Sequence, residues 1–322
     1  MSAPRVSVII PTYNSAATAG RAIASVLAQT FGDLEVIVID EASKDDIEGV
    51  VGGFTDPRLH LHRWIENTGL PGARNKGIRL AKGEVVGFLD SDDEWYPRKL
   101  ERQLALLDAD ARVGVVYCGI DFAEDGEVIG TRRPRHRGRV LGAILGQNVV
   151  GNASTFLIRR RLFDEAGLFN ERLRTFGEDW DLLIRLARVS DFDFCEEPLT
   201  RYYFHANHKS GELVGDPAKS VPDRLWVLEA YRTDFERHPD AMAMVLRRIG
   251  VLWSRAGRRV EALRYFWQAV RCAPMRPVNV LALGAGLLGR RPFSAIHDRA
   301  AAARRQTHAL ALTRAMKKHG RA

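Results

Sequence analysis

Gly83-Glu84-Val85-Val86-Gly87-Phe88-Leu89-Asp90-Ser91-Asp92-Asp93-Glu94-Trp95-Tyr96 is the stretch on which the reading of this chain turns. An apolar run from Val85 to Leu89 ends abruptly in three carboxylates, Asp90, Asp92 and Asp93. The run is short, rich in valine and aromatic character and preceded by Gly83, so it reads as a buried strand. A buried parallel strand delivers the residues after it to the carboxyl edge of the sheet, where open α/β folds bind ligands. Three acids crowded there repel one another and lose solvation unless a cation offsets the cost. Hard oxygen donors of this kind suit Mg²⁺ or Mn²⁺ shared with substrate phosphates. The plainer alternative is a polar loop in which Asp92 or Asp93 caps the helix beyond Pro97.

Working outward toward the N-terminus, Val6–Pro11 is a β-branched run stopped by proline, a first strand. Ala16–Gln29 carries Ala19, Ala22, Ile23, Val26 and Leu27 at helical spacing. Leu34–Asp40 is a second strand that also ends in an acid, and a helix opens at Asp45-Asp46-Ile47. Leu59–Trp64 makes a third strand, residues 67–72 a loop, and Ala73–Ala81 a helix leading into the central strand. Such alternation predicts a parallel, doubly wound sheet. No GxGxxG follows the first strand, so the usual dinucleotide fingerprint is absent.

Val8-Ile9-Ile10-Pro11-Thr12-Tyr13-Asn14, Val38-Ile39-Asp40, Gly72-Ala73-Arg74-Asn75-Lys76-Gly77 and Phe88-Leu89-Asp90-Ser91-Asp92-Asp93 resemble, in order and spacing, the family 2 glycosyltransferases. Gly177-Glu178-Asp179-Trp180-Asp181-Leu182 continues the likeness, which covers roughly residues 5 to 210. The resemblance implies a GT-A, Rossmann-like catalytic domain over residues 1–215; the sequence beyond it, over 216–322, reads as mostly helical. It implies an inverting transfer of sugar from a nucleotide-sugar, with a UDP-sugar favoured, to a saccharide or lipid-linked acceptor in cell-surface polysaccharide or glycolipid synthesis.

The same resemblance assigns roles. Pro11, Thr12 and Asn14 would line the nucleotide pocket, Asp40 would bond the base, and Arg74 would reach the base or phosphates. Asp90, Asp92 and Asp93 match the DXD region, with Asp90 and Asp92 on the donor and Asp92 and Asp93 on a Mn²⁺ or Mg²⁺ ion. Asp179 would be the general base, with Glu178 as its substitute, and His205 could complete the metal shell. Glu41-Ala42 stands where Asp-Gly is more usual. Read without the family, Asp40 is a solvated strand end, Arg74 a surface ion pair, Asp179 a helix cap and His205 a structural histidine.

Beyond the central strand, Val113–Gly119 is another strand, Asp121–Gly130 resembles a hairpin turn, and Asn152–Ile158 returns to the sheet. Between them lies a strongly basic run, Arg132–Arg139, whose plain reading is a solvated charged loop. Leu246, Ile249, Gly250, Trp253, Gly257, Ala262, Phe266, Ala269 and Pro274 fit a single tetratricopeptide-like helix pair near 243–276. Arg290-Arg291, Arg304-Arg305, Lys317-Lys318 and Arg321 suit either a solvated helix or an anionic membrane surface.

At 322 residues with 46% hydrophobic content the chain can bury a sizeable core, and a net charge of +8 points to an anionic partner. Cys118, Cys195 and Cys272 are odd in number and far apart, as in a reduced cytoplasmic protein. The absence of a signal-like start or a bilayer-length apolar run predicts a soluble protein, at most peripheral on the inner face of the cell membrane. Nucleic acid is not expected as a partner, because no aromatic-interleaved basic platform is present. A sugar nucleotidylyltransferase would need a Gly-rich phosphate loop after the first strand, and Pro11-Thr12-Tyr13-Asn14 is not one. An inactive nucleotide-sugar-binding protein sits poorly with an intact set of Asp40, Asp92, Asp93 and Asp179.

Overall fold

The computed structural model describes residues 3–124, 126–174, 176–203 and 217–288. The chain divides into two compact units, Met1–Asn207 and His208–Ala322. His205 and the basic segments beyond residue 288 lie outside the described residues.

The first unit is built on a sheet of nine described strands: β1 (Val6–Thr12), β2 (Leu34–Glu41), β3 (Leu59–Trp64), β4 (Val85–Phe88), β5 (Glu94–Trp95), β6 (Val113–Glu124), β7 (Glu127–Arg132), β8 (Phe156–Arg159) and β9 (Asp191–Tyr203). Its helices are α1 (Ala16–Leu27), α2 (Ile47–Gly52), α3 (Gly69–Leu80), α4 (Lys99–Ala109), α5 (Leu141–Gly146), α6 (Leu162–Ala166) and α7 (Glu178–Val189). The strand order is β3-β2-β1-β4-β8-β6-β9-β5, with β7 beside β6. β1 and β2 are buried along their whole length, as the unbroken apolar runs require of strands covered on both faces. Ala19, Ala22, Ile23 and Val26 of α1 pack beside Val8, Ile10, Val36 and Val38 in the core.

The parallel sheet expected from the sequence holds for β3, β2, β1 and β4 and then gives way. β8 runs antiparallel to both β4 and β6, β5 and β7 are also antiparallel to their neighbours, and β6 and β9 pair parallel, so this half of the sheet is mixed. The chain after residue 113 is joined by a hairpin and a long return, and antiparallel neighbours need no crossover helix. Two further expectations shift. α3 begins at Gly69, inside the stretch that reads as a loop, and β9 has no counterpart in the sequence reading.

The second unit comprises α8 (Val221–Ala230), α9 (Arg232–Arg237), α10 (Pro239–Arg255), α11 (Arg259–Cys272) and α12 (Pro277–Leu288). α10 and α11 form a hairpin through Gly257, whose φ of 80° suits glycine. Phe266 is fully buried at its centre, with Gly250 leaving room for the ring. No helix among the described residues is long and apolar enough to cross a membrane.

Candidate active site

The carboxyl ends of β1 and β2 are stitched together. Thr12 Oγ1 donates to the Ile39 carbonyl at 3.1 Å, and the Asn14 N–H donates to Ser43 Oγ at 2.9 Å. Asn14 Oδ1 accepts from the Lys44 N–H at 2.8 Å, with Asn14 itself at a left-handed φ of 51°. Pro11 sits opposite Ile39 in the same register. Asp40 is fully buried; its Oδ1 accepts from the Ser43 N–H at 3.0 Å, and Arg63 Nε lies 3.1 Å from Oδ2. The unusual Glu41 has its own work: it accepts from Thr68 Oγ1 at 2.9 Å and pairs with Lys76 at 2.6 Å, fixing the start of α3. Ala42 occupies a φ of 59°, the conformation that explains why glycine is more usual there.

Arg74, on α3, is 1% exposed and gathers three acids from distant parts of the chain. Its Nη2 donates to Asp90 Oδ1 at 2.8 Å, while Nη1 donates to Asp179 Oδ1 at 2.8 Å and Glu178 Oε1 at 3.2 Å. Its guanidinium also lies 5.2 Å from the centre of the Phe169 ring. Burial opposes the charge of Arg74, but Asp179, Asp90 and Glu178 outweigh it and raise its pKa above the ordinary value. The sequence expectation sends Arg74 to the base or phosphates; in the structure Nη1 and Nη2 are turned to carboxylates, while Nε is buried without a partner.

Gly177, at a φ of 89°, turns the chain into α7 so that Glu178 and Asp179 begin the helix. Neither acid caps it, since the N-cap is Gly177 and no side chain makes a cap bond. Burial pushes the Asp179 carboxyl up to about 8; Arg74 pulls against this, and Glu178 and Asp90 push with it. The nearby Ala153 N–H also favours the ionised form of this carboxyl. A proton acceptor poised near neutrality, beside a fixed cation, is suited to take a proton from a hydroxyl.

Asp93 points inward. Its Oδ2 accepts from Ser154 Oγ at 2.6 Å and Asn152 Nδ2 at 2.7 Å, while its Oδ1 is buried without a partner. Burial raises its pKa well above the usual range, and Asp90 and Asp92 add to the rise. The cap reading of the acid cluster fails, because α4 starts from Arg98 with no side-chain cap bond. Arg21 Nη2 donates to the Asp92 carbonyl at 2.8 Å, and its guanidinium stacks 3.8 Å from the centre of the Tyr203 ring. Burial pushes the Tyr202 phenol up to about 12, with the charges of Asp93, Asp92 and Asp90 contributing. Among the described residues no three His, Cys, Asp or Glu side chains form a metal cage. The donor set suits a different arrangement, in which one or two carboxylates share a cation with diphosphate oxygens. The orphaned Oδ1 of Asp93, repelled by two neighbouring acids, is the kind of atom that a nearby cation relieves.

Sequence reasoning missed Arg21, Asn152, Ser154 and Tyr202 as members of this site. Arg21 lies on a helix face that reads as solvated. Asn152 and Ser154 lie in a stretch that reads as strand, whereas Ala153–Thr155 forms a 3-10 turn.

A parallel half-sheet with acids at its carboxyl edge, joined to a mixed half that presents a second acidic pair, defines a GT-A-like fold. Residues 7–167, half of the chain, match the model for Glycosyl transferase family 2, and the chain belongs to that family. It is 35% identical over 211 residues to an uncharacterized glycosyltransferase of Rickettsia prowazekii, covering 63% of this chain and 65% of that one. It is 32% identical over 218 residues to the succinoglycan biosynthesis protein ExoO of Rhizobium meliloti, covering 64% and 62%. The match thus spans less than two thirds of either relative. Its fold is similar to that of S. aureus TarS residues 1–349 (TM-score 0.60, 20% identity, 84% of this chain and 81% of that one). It is also similar to a mannosyltransferase of Pyrobaculum calidifontis (TM-score 0.51, 20% identity, 94% and 81%).

Proposed function

We propose that the chain transfers a sugar, with inversion, from a nucleoside-diphosphate sugar to a hydroxyl of a saccharide or lipid-linked saccharide. The observation that carries this reading is Arg74, which joins Asp90 at the donor edge of the sheet to Asp179 and Glu178 at the start of α7. A general base and a donor site held by one guanidinium supply the proximity that direct displacement needs.

In the proposed reaction Asp179 accepts the acceptor's hydroxyl proton as that oxygen attacks the anomeric carbon. The bond from the anomeric carbon to the diphosphate oxygen breaks as the new one forms, and the nucleoside diphosphate leaves from the opposite face. Arg74 orients Asp179 and limits the rise in its proton affinity. Glu178, on the same guanidinium, is the substitute base. Asp40 recognises the base, and Thr12, Asn14 and Pro11 shape the pocket wall. Asp92, with the diphosphate oxygens, would hold a Mn²⁺ or Mg²⁺ ion, which when bound supplies Lewis-acid stabilisation of the leaving group. Asp93 stands behind that position on Ser154 and Asn152, and Asp90 connects it to Arg74.

Solved relatives in fold lend support on the donor class: TarS in complex with UDP and UDP-GlcNAc, and the Pyrobaculum enzyme with GDP-Man and Mn²⁺. A UDP-sugar is our first choice, and cell-surface polysaccharide synthesis the setting. The catalytic domain is taken as residues 1–215 and the helical region as 216–322. Exposed Val280, Leu281 and Leu287 on α12, with the basic sequence after it, favour peripheral docking on an anionic membrane. A thermal-shift screen of UDP-, GDP- and dTDP-sugars with and without Mn²⁺ tests the donor assignment. A metal-dependent rise in Tm with one nucleotide class is expected, and no shift with any of them would refute it.

A further inference from the structure

The arginine-rich run that ends β7 is not used by this reaction. Of its five arginines, Arg137 Nε lies 3.2 Å from Asp193, Arg139 Nε lies 3.9 Å from Asp191, and Arg133 donates to the Glu196 carbonyl at 3.2 Å. Arg132 behaves differently. No carboxylate among the described residues pairs with it, and its Nη2 donates to the Val150 carbonyl at 3.4 Å. Burial lowers its pKa, with Tyr117 and Cys118 opposing, yet the residue as a whole is exposed to solvent. Its guanidinium is laid against the backbone at Val150 while the side chain stays open to solvent.

The wall it leans on is part of the active site. Gly151 has a φ of 129°, and a Cβ there would stand 2.4 Å from Arg132 Nη2, so glycine lets the guanidinium lie against the backbone. The next residue, Asn152, bonds Asp93, and the one after it, Ala153, lies near enough to Asp179 for its N–H to favour the ionised carboxylate. From Val150 to Ala153 the chain can span at most about 11 Å, so the guanidinium and the base share one short loop. Asn148 braces that loop, accepting from the N–H groups of Val150 and Gly151 at 3.0 and 2.9 Å. An acid-rich site repels an anionic acceptor unless a fixed cation receives it. An arginine fork is the side chain that matches phosphate geometry.

We propose that Arg132 is an anion-binding wall of the acceptor subsite, and that the acceptor carries a phosphate or diphosphate close to the hydroxyl that is glycosylated. This rests on the transferase reading above. The phosphate could belong to a lipid-linked diphosphate or to a phosphorylated glycan, and the two sources are separable.

The full chain, with the donor found by thermal shift, is assayed on matched acceptors. The soluble pairs are glycerol with sn-glycerol 3-phosphate and glucose with glucose 6-phosphate; the third is a short prenyl-diphosphate-linked sugar against the same sugar on a neutral alkyl chain. The phosphorylated member of at least one pair is expected to be favoured about tenfold or more in kcat/KM. R132Q should raise that member's KM by about tenfold, with kcat little changed, and R132K should recover part of the loss. Preference in the soluble pairs assigns the phosphate to a glycan; preference confined to the prenyl pair assigns it to a lipid carrier. Equal use of both members in every pair, or an equal rise in KM for charged and neutral acceptors, overturns the proposal. If R132Q does not fold, R132K decides, because loss of the fork alone must raise the KM of the charged acceptor and spare that of the neutral one. If no donor is turned over, the transferase reading fails separately, and direct titration with sn-glycerol 3-phosphate decides the site. Weaker binding to R132K or R132Q supports the proposal, and unchanged or absent binding refutes it.

Discussion

Asp93 and Asp179 are both buried aspartates in runs of acids, and both have raised proton affinity, but the protein treats them in opposite ways. Asp93 rests on a hydroxyl and an amide, with no cation beside it among the described residues. Asp179 rests on Arg74, a cation the fold itself supplies. Asp93, left without a cation beside it among the described residues, suits an outside cation and its phosphates. A carboxylate with a built-in arginine keeps its charge adjustable and suits proton transfer. In the proposed reaction the two acid runs, so alike in sequence, divide the labour between leaving group and nucleophile.

The harshest test of that division is removal of the divalent ion. Chelation should lower transfer about a thousandfold, and Asp92→Ala should do the same at saturating donor. Full turnover in excess chelator would detach the acids at 90–93 from leaving-group chemistry. On the other side, Asp179→Asn is expected to cost about 10²- to 10³-fold in kcat while calorimetric donor affinity barely moves. Asp40→Ala should invert this pattern, weakening donor affinity by about tenfold or more, through loss of a charged hydrogen bond, before it affects turnover. If Asp179→Asn loses donor binding as badly as Asp40→Ala, Glu178 becomes the candidate base.

The contrast also explains what the sequence could reveal. β1, β2 and β4 are contiguous apolar runs, and the acids follow them directly, so local pattern locates Asp40, Asp90 and Asp92 at one sheet edge. The helical hairpin is readable for a similar reason, because its small and aromatic residues recur at fixed spacing. Arg74 with Asp179 is a contact across 105 residues, and Asp93 with Ser154 one across 61. Nothing local encodes either pairing. β9 escapes because Glu196, Glu197 and Pro198 break its apolar pattern, although Asp191-Phe192-Asp193-Phe194 alternates as a strand should. The raised pKa of Asp179 escapes too, since burial is a property of the assembled fold.

That raised pKa has a measurable consequence. If ionised Asp179 is the base, kcat/KM should fall about tenfold per pH unit below a midpoint near 8 and level off above it. The sign comes from the role: a base works only when deprotonated, and burial holds its proton on to higher pH. A flat profile between pH 6 and 9, with donor binding constant, would move the base elsewhere.

The smallest effect should come from Asp93→Asn, and it sharpens the comparison most. Asparagine has the same shape, and its carbonyl oxygen can still accept from Ser154 and Asn152 where Oδ2 does now. Its amide would take the place of Oδ1, which has no partner to lose. The substitution thus removes charge while sparing packing and hydrogen bonds, unlike Asp93→Ala, which would open a cavity and take the shared acceptor from Ser154 and Asn152. If Asp92 holds the ion and Asp93 only backs it, apparent Mn²⁺ affinity should drop less than tenfold in Asp93→Asn, with kcat at saturating Mn²⁺ nearly intact. Asp92→Asn should lose far more. Equal losses in the two variants, read by Mn²⁺ titration of turnover, would make Asp93 a direct ligand and its buried proton the thing the metal displaces.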